Sequence, residues 1–267
     1  MSTESTEPTA QAVSKEAPTN QAKIKLFWLE KSRSQRILWL LEELKLQYEI
    51  QTFKRLPEGF APPELKEVHP LGKSPVISVQ AGDAKPLVLA ESGFIVEYLT
   101  EHFGPWLQPR QYAEGQERQI GGETEEWLRY RFYMHYAEGS LMALLVVGLI
   151  VSKIRNAPLP FFLKPITSLI AGKVEASYLH PNYKTHFDFL ESQMTTSPGN
   201  GEYLCGKELT GADILMSFPL EAASRRAGVN VTNYPKLSAY LDRIYEREAY
   251  KKAVEKIVEI EGEFKPV

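Results

Sequence analysis

The chain has 267 residues, a formal net charge of −3 and 43% hydrophobic residues. This composition provides enough apolar material for one large or two modest domains, and the near-neutral charge gives no electrostatic reason to expect nucleic acid as a partner. Its single cysteine, Cys205, excludes an intrachain disulfide framework, a CxxC redox pair and a thiolate zinc cluster, and fits a reducing compartment.

The N-terminal segment, residues 1–22, contains no aromatic residue, leucine or isoleucine. Such a segment cannot bury enough apolar surface to offset its ordering entropy, so we predict a disordered tail. It lacks the apolar core of a secretory signal and the arginines of a mitochondrial presequence. We therefore expect a cytoplasmic protein.

Residues 23–104 show the pattern of a small α/β domain. Apolar residues at helical spacing from Ile37 to Leu44 follow a strand-like run, and an alternating segment, YEIQTF, follows the helix. The two apolar runs Val76–Val79 and Leu87–Ala90 are close enough to form a hairpin. The predicted order is β-α-β-α-β-β-α, with the first β-α-β unit parallel and right-handed. Residues 103–111 have the composition of a linker.

The rest of the chain, residues 112–267, predicts an all-helical domain. Residues 112–155 are expected to form a long helix, and Tyr178–Met194 a second helix broken by Pro181. Two further amphipathic helices follow. Thr210 and Asp213 match a capping box at the start of the first of them.

Two apolar stretches lie in this second domain. The run Leu141–Val151 is shorter than the roughly 20 residues that span a bilayer, so we interpret it as a buried helix. The stretch 157–172 is apolar but contains three prolines, which break regular structure. If exposed, it would suit a membrane surface or a partner chain. An ordinary contact within the domain is the preferred interpretation.

Polar residues flank both predicted hairpin strands. Pro75 begins the first strand. If its peptide bond is cis, the backbone groups of Ser74 turn outward and can pair with an extended peptide. If the bond is trans, Pro75 is an ordinary first residue of a strand. Glu91 and Ser92 follow the second strand, where a helix begins. They either cap that helix or form a ligand site, in which the helix N-terminus receives a carboxylate and Glu91 an ammonium group.

Ser32 and Ser34 lie at the first strand-to-helix turn. Either hydroxyl can cap the helix, and we favour that role for Ser34. A hydroxyl on the loop before the helix can instead donate to a bound thiolate. The chain shows no metal-ligand spacing and no Ser-His-Asp arrangement, so we expect no metal or other cofactor.

The order of these segments resembles that of the glutathione transferases. The resemblance covers about residues 23–260 and is closest to a fungal branch of that superfamily. It is carried by FWLEKSRSQRILWLLEELKLQYE, APPELKEVHPLGKSPVI, LAESGFIVEYL and LTGADILMSFPL, and the fungal likeness by HPLGKSP, AESGFI and YAEGSL.

The resemblance implies a thioredoxin-like N-terminal domain, an all-helical C-terminal domain and a homodimer. It implies that Pro75 is cis, that the backbone of Ser74 holds the cysteinyl part of glutathione, and that Glu91 and Ser92 hold its γ-glutamyl end with Lys73 nearby. Ser74 departs from the valine or isoleucine that the family commonly has before the proline, and the backbone contact should survive that change.

The implied activity is conjugation of glutathione, as co-substrate, to small hydrophobic electrophiles, with hydroperoxide reduction as a further activity. Ser32 occupies the position of the catalytic serine in serine-type members and is preferred to Ser34. Its hydroxyl would hydrogen-bond the glutathione sulfur and lower the pKa of the thiol.

The implied electrophile site lies against the first long helix of the second domain. Tyr133 and Tyr136 are candidates for lining it, although aromatic residues at this spacing also suit a core. The alternative function is a non-catalytic interaction or regulatory module with the same fold.

Overall fold

The computed structural model describes residues 22–264, so the predicted disordered tail lies outside the described residues except for Ala22. A four-stranded sheet forms the first part of this region. It contains β1 (Ala22–Leu29), β2 (Tyr48–Phe53), β3 (Val76–Ala81) and β4 (Leu87–Ala90), in the order β2-β1-β3-β4. β1 and β2 are parallel, while β3 is antiparallel to both β1 and β4. The predicted parallel unit and hairpin are therefore confirmed.

Three helices complete this part of the fold: α1 (Ser34–Glu43), α2 (Leu65–Val68) and α3 (Ser92–Phe103). Every residue of α1 from Ser34 to Leu41 is buried. Its apolar stripe packs on β1 and α3, and its opposite side is covered by helices of the second domain. A helix at the centre of the molecule thus carries polar residues into the interior.

The remainder of the described chain is helical. Short π-helical segments, Ala137–Met142 and Glu175–Leu179, join α4 to α5 and α6 to α7 without a break. The helices are α4 (Glu125–Tyr136), α5 (Ala143–Arg155), α6 (Lys164–Val174), α7 (His180–Thr195), α8 (Gly211–Arg226), α9 (Pro235–Glu246) and α10 (Glu248–Glu261).

Helix α8 occupies the centre of this second domain and packs against α1, α3, α4 and α5. The predicted capping box at its start is confirmed: the backbone N–H of Thr210 donates to Asp213 Oδ2 at 2.8 Å, and the Asp213 N–H donates to the cap. The fold is thus a thioredoxin-like α/β domain followed by an all-helical domain, as predicted.

Two helix boundaries differ from the sequence-based prediction. The long helix expected over 112–155 begins only at Glu125, where Thr124 caps it by accepting from the Trp127 N–H at 3.1 Å. The break expected at Pro181 is wrong. Pro181 lies in the first turn of α7, directly after the π-helical segment, and the chain stays helical through it.

The two apolar stretches are more exposed than predicted. α5 buries Leu144, Leu145 and Val151, but its other face is open to solvent. Residues 157–172 do make a contact within the domain, since α6 packs on α5, but Ala171 is the only buried residue of α6 and most of the stretch stays exposed. The continuous helix Glu125–Arg155 is long and apolar enough to cross a membrane. Length and composition alone are weak evidence for a membrane span. In the apolar 18-residue part of this helix, 33% is buried inside the protein.

Candidate functional site

The register of the sheet brings three separate sequence segments to one edge. Val76, the first residue of β3, pairs with Phe27 near the end of β1 and with Ala90 at the end of β4. The loop after β1, the Ser74–Pro75 step before β3 and the Glu91-Ser92 pair after β4 therefore meet at the same end of the sheet. Antiparallel pairing of the central β3 with both neighbours produces this convergence.

Three hydroxyls from two of these segments form a cluster. The Oγ atoms of Ser34 and Ser74 are 2.5 Å apart, and those of Ser32 and Ser74 are 3.4 Å apart. Ser74 Oγ also donates to the carbonyl of Phe27 at 3.4 Å. Ser32 is 7% exposed, whereas Ser34 is 0% exposed, so the hydroxyl of Ser32 is the nearer of the two to solvent.

The predicted capping role of Ser34 is not what the structure shows at the start of α1. Ser34 is the first residue of α1 rather than its cap, and its hydroxyl bonds to Ser74. Ser32 Oγ accepts from the backbone N–H of Ser34 at 3.2 Å and so satisfies a free donor at the helix start. The expectation that Ser34 caps the helix is wrong, because α1 begins at Ser34 itself, one residue earlier than that role requires, and Arg33 is the cap.

The loop that carries Ser32 is held by contacts from other elements. Arg55, after β2, donates from Nε to the carbonyl of Glu30 at 3.0 Å and from Nη2 to the carbonyl of Lys31 at 3.1 Å. Glu261, on α10, accepts from the Lys31 N–H at 3.1 Å and from Trp28 Nε1 at 2.9 Å. The position of the loop therefore depends on both domains.

The other predicted site residues differ in exposure. The Ser74–Pro75 peptide bond is cis. Pro75 is buried, Ser74 is half-buried and Lys73 is exposed. At the neighbouring segment Ser92 is buried as the first residue of α3, and Glu91 is exposed.

Glu91 has an unusual backbone conformation, with φ 72° and ψ 119°. A residue other than glycine rarely adopts a positive φ. Such backbone conformations persist where the surrounding structure enforces them, often at binding sites. Its side chain makes no capping hydrogen bond to α3. The capping role considered from the sequence therefore does not explain Glu91.

Two helix N-termini point toward this edge. α1 begins at Ser34, after the four-residue loop that follows β1, and α3 begins at Ser92, one residue beyond β4; both strands pair with Val76 near these ends. The free N–H groups and positive dipole end of each helix favour negatively charged groups. The edge can therefore accept two anionic groups, one at each helix.

Two arginines beside this edge were not among the site residues predicted from the sequence. Arg33 Nη1 donates to Glu138 Oε2 at 2.8 Å, and Arg36 pairs with the other carboxylate oxygen of Glu138. Arg36 is fully buried and also donates to the carbonyl of Leu215 at 2.8 Å. Burial lowers the pKa of Arg36, and Glu138 opposes this shift. Glu138 lies within YAEGSL, which marked the fungal likeness without indicating this contact.

The two candidate electrophile-site tyrosines pack inside the helical domain. Tyr133 is fully buried and its hydroxyl has no hydrogen-bond partner among residues 22–264, while the Tyr136 hydroxyl lies 2.6 Å from His186 Nδ1. Burial raises the pKa of both phenols. These surroundings match the core interpretation that the sequence left open for both residues.

Comparisons with known proteins agree on one family. The model of the glutathione S-transferase N-terminal domain matches residues 32–102, and that of the glutathione S-transferase C-terminal domain matches residues 154–248. Glutathione S-transferase 1 of Saccharomyces cerevisiae is 38% identical over 234 residues, which cover 87% of this chain and 94% of the relative.

Solved structures show the same fold. A glutathione S-transferase from Actinobacillus pleuropneumoniae is 32% identical, covers 88% of this chain and 92% of its own, and has a TM-score of 0.61. A glutathione transferase homolog from Lodderomyces elongisporus, solved with two glutathione molecules per subunit, is 19% identical with a TM-score of 0.66 and covers 88% and 98% of the two chains. Among residues 22–264 no group of three or more His, Cys, Asp or Glu side chains could hold a metal ion.

Proposed function

Because the chain belongs to the glutathione transferase family and is a glutathione transferase, we propose that the edge formed by the loop after β1, Ser74–Pro75 and Glu91-Ser92 binds glutathione. The backbone of Ser74 pairs with the cysteinyl unit. Ser92 and the α3 N-terminus receive the γ-glutamyl carboxylate, Glu91 receives its ammonium group, and Lys73 provides a positive charge nearby. The observation that supports this most is the register of β3, which gathers these residues at one end of the sheet.

Ser32 is the proposed catalytic residue. In the proposed arrangement Ser74 donates to the Phe27 carbonyl, Ser34 donates to Ser74, and Ser32 accepts the Ser34 N–H and turns its own proton from Ser74, 3.4 Å away, to the ligand. This arrangement leaves the Ser32 proton for a ligand sulfur. A hydrogen bond to the thiolate favours the charged form and lowers the pKa of the bound thiol, which increases the fraction of the nucleophile at neutral pH.

The second substrate is a small hydrophobic electrophile placed beside the proposed glutathione site, on the side of α4. Attack by the thiolate forms a carbon–sulfur bond and expels the leaving group. The same thiolate reduces a hydroperoxide: attack on the peroxide oxygen releases the alcohol, and a second glutathione then yields the disulfide and water.

We place the protein in the cytoplasm, as its relatives suggest, and as a homodimer. Exposed apolar residues on β4, α3 and α4 provide a surface for a second copy. The ion pair between Glu97 and Arg131 joins α3 to α4 at 2.5 Å within this surface. The apolar residues are Val88, Phe94, Leu128 and Phe132. Light scattering during gel filtration measures the mass directly, and a monomeric mass would contradict the dimer.

The test of the proposed activity uses two assays on the purified chain. One follows glutathione conjugation to a nitro-activated aromatic halide, and the other follows glutathione-dependent reduction of an organic hydroperoxide. We expect conjugation, with hydroperoxide reduction at the same site. If glutathione binds but neither reaction occurs, the chain is a non-catalytic module with a transferase fold.

A further inference from the structure

The hairpin formed by α5, the loop 156–163 and α6, here called the α5–α6 hairpin, exposes large apolar side chains. In the loop, Phe161 is 83% and Phe162 63% exposed; on α6, Leu169 is 71% exposed. The exposed apolar set of the hairpin is Val146, Leu149, Ile150, Ile154, Phe161, Phe162, Ile166, Leu169 and Ile170. Nine large apolar side chains exposed on two packed helices and the loop between them indicate an interaction site.

The packing of α6 leaves this surface uncovered. α6 contacts mainly α5 and the π-helical segment that follows it, and it buries only Ala171. α5 is attached to the domain by Leu144, Leu145 and Val151, which point the other way. The hairpin is thus anchored to the protein on one side and apolar on the other.

All charged side chains of the α5–α6 hairpin are positive. Residues 139–174 contain three lysines and one arginine and no aspartate or glutamate, in a chain whose formal net charge is −3. Arg155 pairs with Glu175. Lys153, Lys164 and Lys173 form no ion pair with another residue in the described part of the chain, and all three are exposed.

We propose that the α5–α6 hairpin binds the surface of a lipid bilayer that carries anionic headgroups. Phe161 and Phe162 insert at the acyl boundary together with the exposed face of α6, while the three lysines contact the headgroups. Lysine is depleted in protein–protein interfaces, so lysines beside the apolar residues favour lipid over a protein partner. This inference does not depend on the proposed glutathione site.

The binding is peripheral rather than spanning. The inward face of α5 packs on protein, and a helix crossing the bilayer would have to give up those contacts. A helix with one face buried in its own domain and the other apolar and flanked by lysines lies on the membrane with its apolar side in the interface.

The experiment is co-sedimentation of the full chain with vesicles of phosphatidylcholine, alone or mixed with phosphatidylserine. We expect stronger binding to the mixed vesicles and weaker binding as salt screens the lysines. Phe161→Ser with Phe162→Ser should lower the partition coefficient by about tenfold or more. Lys153→Gln, Lys164→Gln and Lys173→Gln together should lower it by about tenfold or more on mixed vesicles.

Matched controls come from elsewhere on the surface. Trp106 and Ile120 are exposed apolar residues, so Trp106→Ser with Ile120→Ser controls for lost hydrophobicity. Lys85→Gln, Lys207→Gln and Lys236→Gln control for lost charge. Neither control should change vesicle binding, and all variants should keep conjugation activity, which reports folding.

Three results would overturn the proposal. The first is failure of the unmodified chain to sediment with either vesicle. The second is equal loss of binding in the hairpin variants and their controls. The third is a changed solution mass of the Phe161/Phe162 variant with unchanged vesicle binding, which would assign the surface to a second copy of the chain.

Discussion

Two serines two residues apart in sequence differ in what their hydroxyls can reach. Ser34 is fully buried and its hydroxyl bonds to Ser74, whereas Ser32 is nearer to solvent and accepts a backbone N–H. Ser34, in the first turn of α1, lies inside the hydroxyl cluster, while Ser32, on the preceding loop, lies at its solvent side. This difference separates the proposed catalytic role of Ser32 from a structural role of Ser34.

Ser32→Ala should remove a hydrogen bond to the bound thiolate, worth about 1.5–3 kcal/mol. The substitution removes more stabilisation from the thiolate form than from the thiol form, so the pKa of the bound glutathione thiol should rise. Conjugation at neutral pH should fall by about 10- to 100-fold, with a modest change in glutathione affinity. The pH profile of conjugation and the ultraviolet absorbance of the bound thiolate measure the shift.

Ser34→Ala is the matched comparison. It removes the bond to Ser74 and should lower the free energy of unfolding by about 1 kcal/mol, with little effect on the thiol pKa. If Ser34→Ala raises the thiol pKa and Ser32→Ala does not, the assignment of the two serines is reversed. If neither variant moves it, backbone amides or the α1 dipole stabilise the thiolate instead.

Glu91 combines a strained backbone with an exposed carboxylate. Glu91→Gln keeps the backbone and removes the charge, so it should weaken glutathione binding by about 30-fold or more if the ammonium pairing is desolvated. Calorimetric titration with glutathione checks this value. Unchanged affinity in the folded variant would remove Glu91 from the site.

Glu91→Gly tests the strain separately. Glycine adopts φ 72° freely, so this variant should raise the free energy of unfolding by about 1 kcal/mol while also weakening glutathione binding. Denaturant unfolding of the unliganded protein measures the first effect. A decrease in stability would show that the Glu91 side chain contributes to the fold.

At the scale of elements, the π-helical segment between α4 and α5 places a carboxylate against α1. Glu138 lies in that segment and receives both Arg33 and the fully buried Arg36. A π-helical turn redirects side chains relative to a regular helix and often occurs at functional positions. Through Arg33, which lies between Ser32 and Ser34, this contact links α4 to the loop of the proposed catalytic serine.

Glu138→Ala should be strongly destabilising because it leaves the guanidinium of Arg36 buried without its counter-ion. We expect a loss of about 3 kcal/mol in the free energy of unfolding. Lys252→Ala, which breaks the exposed pair with Glu248, should change stability little. Equal effects of the two substitutions in urea unfolding would contradict the importance of the buried pair.

At the scale of the whole molecule, a buried carboxylate joins three helices of the two domains. Glu221 on α8 accepts from Gln35 Nε2 on α1 at 2.5 Å and from the Tyr250 hydroxyl on α10 at 2.7 Å. Burial raises the pKa of Glu221 from 4.5 to about 7, and the two hydrogen bonds oppose the shift. The interface between the domains therefore contains a group that titrates near neutral pH.

The sign of the resulting pH dependence follows from proton binding. The folded state holds the Glu221 proton more tightly than the unfolded chain does. The contribution of protonated Glu221 to the free energy of unfolding is therefore complete below pH 4.5 and is lost as the pH rises through about 7. Relative to Glu221→Gln, the free energy of unfolding should fall by about 3 kcal/mol over this range. Glu255→Gln, an exposed change on α10, should show no such trend. A constant difference between the native chain and Glu221→Gln would contradict the raised pKa.

The order of strands and helices in the first domain was determined by local sequence. Apolar alternation and helical spacing decide which face of each segment is buried, and the two apolar runs after Pro75 form the expected hairpin. The segments of the candidate site were predictable for the same reason. Ser32, Ser74 and Glu91 each lie at a strand end, and strand direction decides where those ends meet.

Tertiary structure alone decided the environments that require a partner distant in sequence. The burial of Arg36 and Glu221 depends on helices that come together only in the folded chain, and no local pattern distinguishes them from exposed charges. The apolar stretch 157–172 packs on α5, but its composition did not show that most of its large side chains stay exposed. Composition determines that a surface is apolar, but the arrangement of the other helices determines whether anything covers it.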